Sequence, residues 1–88
     1  MQENNKKKKI ILKALAKVVK ELRGEKSQFM FCSENDISTS IISTIEHAKK
    51  DPQMTTLFKL AEAFDMTASQ FMKLIQDELP KDFYLIEK

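Results

Sequence analysis

Only two side-chain types titrate close to neutral pH, and each occurs once among 88 residues: His47 and Cys32. His47 has no second nucleophile or thiol near it in sequence, so nothing there suggests an activated catalytic group. The carboxylates are scattered over amphipathic faces, where solvation accounts for them. One glycine in the whole chain leaves no phosphate-cradling loop of the P-loop or G-x-G-x-x-G kind. One cysteine cannot make an intrachain disulfide or a multi-thiolate metal site. The expectation is a protein that is not an enzyme, with no metal and no small-molecule cofactor.

The chemistry the sequence does offer is electrostatic. Residues 1–26 hold nine basic side chains against three acidic ones, a net of +6. Residues 27–50 come to −1 and residues 51–88 to −3, which leaves the formal charge of +2. A basic N-terminal part and an acidic C-terminal part suit a polyanion-binding face opposite a surface of another kind. The plain alternative is a solvated lysine tail.

Positioning those charges is a task for helices. One Gly and two Pro are too little punctuation for a β-sandwich, and the length allows one domain with one core. Hydrophobic residues at 42% suffice for that core, and charged residues at 32% suit a soluble surface. No apolar run approaches a membrane span, and no apolar signal-peptide core follows the basic start. A cytoplasmic location with no membrane association is expected.

Met1 to Asn5 reads as a frayed start. From Lys6 to Arg23, Ile11, Leu15, Val18, Val19 and Leu22 form one amphipathic stripe, which Gly24 stops. Ser27 can cap a second, short helix with Phe31 and Cys32 inward, broken by Asn35-Asp36. Ser38 opens a third through about His47, with Ile42 and Ile45 inward. Lys49 to Pro52 is a loop, because a residue before proline is biased away from the helical region. A fourth helix runs from about Thr55 to Phe64. Thr67 and Gln70 have capping-box spacing for a fifth, with Phe71, Leu74 and Ile75 inward. Leu79 to Asp82 is a break, and Phe83-Tyr84-Leu85-Ile86 is a short β-prone segment.

Gln28, Phe31-Cys32, Asp36-Ile37-Ser38, Ile42-Ser43, Ile45-Glu46, Pro52 and the run Thr56 to Phe64 stand in one ungapped register. In that register the sequence resembles the phage-repressor-like family, the Cro/lambda-repressor or XRE-type helix-turn-helix, from about Leu15 to Ile75. The resemblance implies an all-α fold: a five-helix lambda-repressor-like DNA-binding domain at 10–76, between a basic N-terminal arm at 1–9 and a short C-terminal tail at 77–88. The third helix would lie in the major groove, with Thr39, Ser40 and Thr44 facing bases and Ser43 close by. Gln28 would reach a phosphate through its side chain or backbone N–H, and Ser38 would cap its helix or touch phosphate. Lys49 and Lys50 would contact phosphates. Cys32 would be a small buried residue where two helices approach closely, and Glu46 would pair with Arg23.

Three features depart from the family pattern. The recognition positions carry short side chains, which leaves more to DNA shape. Ala48 stands where a glycine often ends the third helix, and Arg23 lies about two residues closer to Ser27-Gln28 than usual. The function implied is sequence-specific binding of double-stranded DNA by a small transcriptional regulator, a repressor acting as a homodimer on a palindromic operator and associated with the nucleoid when bound. The alternative is an antitoxin-like or anti-repressor module whose main partner is a protein. Four consecutive large residues, Phe83 to Ile86, are expected to be covered, by the first and fifth helices of the same chain or by the same segment of a second subunit.

Overall fold

Gln2–Arg23 is one unbroken helix, α1, of 22 residues, about 33 Å long. The computed structural model describes the backbone of residues 2–86 and the side chains of residues 6–86. The frayed start expected before Lys6 is therefore helical from Gln2, and the basic stretch at 1–9 is, over its described part, the first turns of α1. No Gly or Pro opposes the helix there, and the apolar stripe marked only the portion that packs. That portion is wider than the stripe: Leu12, Ala14 and Ala16 are buried beside Leu15, Val18 and Val19, while Ile11 and Leu22 are half-buried.

Four shorter helices follow: α2 (Gln28–Asn35), α3 (Thr39–Glu46), α4 (Met54–Ala63) and α5 (Ala68–Asp77). Three begin on the side-chain caps that the sequence advertises. Ser27 Oγ accepts the Met30 N–H at 3.1 Å and Ser38 Oγ accepts the Ile41 N–H at 3.2 Å. Thr67 and Gln70 exchange both bonds of a capping box, at 3.2 and 2.9 Å. Only α4 starts without one, at Gln53.

The ends of the first four helices share a device. Gly24, Asp36, Ala48 and Asp65 all adopt left-handed backbone, with φ of 62, 54, 55 and 58°. After α3 the Lys49 N–H reaches Thr44 O at 2.9 Å and the Ala48 N–H reaches Ile45 O at 3.0 Å, the paired bonds of a Schellman motif. After α4 the Met66 and Asp65 N–H groups do the same to Ala61 and Glu62. Ala48, standing where a glycine often ends such a helix, thus has ordinary hydrogen bonding around a residue with a Cβ, which costs more there than glycine. Asp65→Gly removes an exposed side chain and that strain together. It is expected to stabilise the fold by about 0.5 kcal/mol, read as a higher urea midpoint at unchanged slope.

The main core draws on all five helices or their ends, and Leu12, Ala16 and Ala48 form a small separate cluster beside it. Val19, Ile42, Ile45, Leu60 and Phe71 are fully enclosed, where α1 packs on α3 and α5, α2 on α3, and α4 on α5. Phe64 links two aromatic neighbours, with ring centroids 5.0 Å from Phe31 and 6.2 Å from Phe71. Cys32 is 5% exposed, and burial pushes its thiol pKa up.

Past α5 the β-prone segment makes no strand among the described residues. A strand needs a neighbour to pair with, and this helical fold offers no sheet edge. Instead the chain turns at Asp82 (φ 59°) and lies over the start of α1, where Phe83 is half-buried in a cleft with Lys7 and Ile10. Tyr84 and Ile86 stay 61% and 75% exposed. Among the described residues no helix is long and apolar enough to cross a membrane.

Candidate nucleic-acid interface

Helices α2 and α3 are joined by Asp36, Ile37 and Ser38 alone. The tight link follows from the residues: Asp36 accepts left-handed backbone, Ile37 is buried as an anchor, and Ser38 caps α3 at once. Lys59 of α4 donates to Asp36 O at 3.4 Å, steadying the turn from the other side.

On α3, Ile42, Ile45 and Glu46 are buried, so helical spacing directs Ser40, Ser43, Thr44 and His47 to the opposite side. Thr39 and Ser40 are exposed; Ser43 and Thr44 are half-buried. Thr44 Oγ1 donates to Ile41 O at 2.9 Å, which leaves its oxygen able to accept from outside and its methyl free to pack. Ser38 and Ser40 hydroxyls lie 3.3 Å apart. A groove of about 560 Å³ runs beside this face, between Ser40, Ile41 and Thr44 on α3 and Lys50, Pro52 and Thr56 beyond it.

Lys49 and Lys50 are exposed just past the end of α3. The hydroxyl face and this pair of cations thus adjoin, as their positions in the sequence suggested. Ser38 is committed to capping through its oxygen.

Gln28 differs from expectation. Its side chain turns inward, and its amide donates to Glu46 Oε1 at 2.9 Å instead of reaching outward for a phosphate. The cause is the buried carboxylate: Glu46 is 4% exposed and its lone pairs must find donors. What Gln28 still offers outward is its backbone N–H in the first turn of α2, where helix geometry supplies no acceptor.

The expected Arg23–Glu46 pair is present. Arg23 Nε and Nη2 each donate to one carboxylate oxygen at 2.7 Å, a two-pronged bond, while Nη1 donates to Lys26 O at 2.6 Å. Burial alone would raise the Glu46 pKa, but the bonds from Arg23 and Gln28 together hold it below the usual carboxylate value. This cluster joins α1, α2 and α3 at one point and so sets how far α3 projects.

Two further residues belong to this face: His47, whose sequence position suits a surface or phosphate-proximal place, and Ile41, which the sequence does not single out. Ile41 is 41% exposed at the groove edge, an apolar side chain suited to a thymine methyl. His47 Nδ1 lies 2.7 Å from Ser43 O. A carbonyl only accepts, so a hydrogen bond at this distance has Nδ1 as the protonated donor. Counting helical turns from Ile42 and Ile45 places Ile41 on this face.

Comparison with protein-family models, with curated proteins and with solved structures yields no match for the chain.

Proposed function

We propose that the chain is a sequence-specific double-stranded DNA-binding regulator of the XRE-type, lambda-repressor-like class, working in the cytoplasm as a homodimer on a palindromic site. The observation that carries this is α3 itself: a short helix on a tight turn, buried on one side, with an uncharged hydroxyl-rich face outward and two lysines at its end. Thr39, Ser40, Ser43 and Thr44 are the base-facing set, Lys49 and Lys50 the phosphate contacts. Duplexes selected from a random pool supply the ligand for the test. Lys49→Ala and Lys50→Ala are each expected to lower the magnitude of the salt slope by about one unit, similarly for all sequences. Thr39→Ala, Ser40→Ala and Thr44→Ala are expected to change preference at defined positions, by roughly 1–3 kcal/mol each. Binding that ignores salt, or a preference untouched in all three variants, would defeat the assignment.

A second reading, a protein-interaction module, draws support from the apolar groove between α4 and α5, where Met54, Phe58 and Met72 are exposed. Retention on duplex DNA that falls with salt separates the two.

A further inference from the structure

Five lysines of α1, at 6, 9, 13, 17 and 20, recur every three or four residues, and all are exposed. They form one row about 21 Å long, on the scale of six base pairs of duplex. Like charges at this spacing weaken a helix, so the row costs stability that a solvated surface would not require.

Its place in the fold gives it a use. Lys8 approaches Asp51 at 3.9 Å and Lys9 Nζ donates to Ala48 O at 2.7 Å, so this part of α1 runs alongside the loop that carries Lys49 and Lys50. Farther along, Lys13, Lys17 and Lys20 share a shallow groove with His47 and Ala48 at the end of α3. The acids nearby are largely answered. Glu46 is held by Arg23, Asp51 lies near Lys8, and Glu78 takes Lys17 at 2.8 Å; Glu21 borders the groove. Among the described residues the side chains of Lys6, Lys13 and Lys20 make no hydrogen bond or ion pair. Lys20 helps to hold the Glu46 carboxylate charged, but Arg23 is that carboxylate's bonded partner, so Lys20 can still meet a phosphate. An anionic membrane is a poor fit, because the apolar side of α1 is spent on the core and none is left to insert.

We propose that the lysine row of α1, centred on Lys13 and Lys20, is a second phosphate-binding surface that holds duplex backbone flanking the site read by α3. This rests on the DNA-binding reading above, and the experiment separates the two. Fluorescence anisotropy follows wild type and the Lys13→Gln/Lys20→Gln double variant over a range of salt. One labelled duplex is a selected site trimmed to the base pairs that α3 covers; the other carries flanks of about six base pairs. On the flanked duplex the double variant is expected to lose about 1.8 from the magnitude of the salt slope, and on the trimmed one to lose nothing. Lys13→Arg/Lys20→Arg restores the wild-type slope. Thermal melting checks the fold, and the two single Gln variants, each expected to lose about 0.9, serve if the double is unstable. Unchanged slope on the flanked duplex overturns the second surface, as does an equal loss on both duplexes. So does loss of binding to anionic vesicles with the duplex slope intact. A wild type that binds no duplex even at low salt defeats the DNA-binding reading, and this surface with it.

Discussion

Glu46→Ala is expected to destabilise the fold by about 3 kcal/mol, a large share of the roughly 5–10 kcal/mol available to a domain of this size. The substitution leaves the Arg23 guanidinium, with its side chain only 17% exposed, without its carboxylate, and strands the Gln28 amide as well. A buried charge that loses its partner costs far more than the intact pair contributes. Replacing both partners, as Arg23→Met with Glu46→Leu, should therefore recover most of the loss. The same pair gives a sign to acid sensitivity. Because the folded carboxyl titrates below its ordinary value, its contribution is complete above the ordinary carboxylate range and drains away as pH falls through the lowered value. Chemical denaturation of wild type and Glu46→Gln at stepped pH reads this directly: the gap between them should narrow on acidification. A constant gap would mean that the pair does not govern the acid limb.

Phe71→Ala is expected to cost about 3–5 kcal/mol, enough to leave a substantial unfolded population at 37 °C. The ring is fully buried on α5 and stacks on Phe64, which in turn stacks on Phe31 of α2. Removing it opens a cavity where the second, fourth and fifth helices meet. Phe58→Ala is the matched control. That ring, on α4, is 51% exposed, and its loss should change stability by less than about 1 kcal/mol. Urea melts of the two variants should differ by several-fold in the free energy lost. Similar losses would show that the α4–α5 groove is filled in solution.

What could be read in advance was what is local. A cap is settled within four residues, so Ser27, Ser38 and the Thr67–Gln70 box were legible, as was the break at Asp36. The buried faces of α3 and α5 followed from spacing alone. The Arg23–Glu46 pair spans 23 residues and was legible only through the family resemblance. Gln28 reads as outward from sequence because its captor, Glu46, lies 18 residues away and enters by tertiary packing. Phe83 to Ile86 reads as a strand because β propensity records fit to a pleated neighbour, and none exists among the described residues. The start of α1 was missed for a related reason. An apolar stripe reports where a helix is covered, not where it begins.

The long α1 also fixes an order of events at the ribosome. It precedes the other four helices in chain order, yet its apolar side is closed by α3 and α5, and α5 ends at Asp77. At about 5–20 residues per second, some 3–10 s separate the completion of α1 from that of α5. Through that interval Leu15, Val18 and Val19 have no final partner, and the lysines of the same helix keep the nascent segment dispersed in water. Closure of the fold in one step is the expected result when α5 docks. A nascent chain probed by limited proteolysis at successive lengths should stay cleavable until α5 has cleared the exit tunnel, and become resistant all at once.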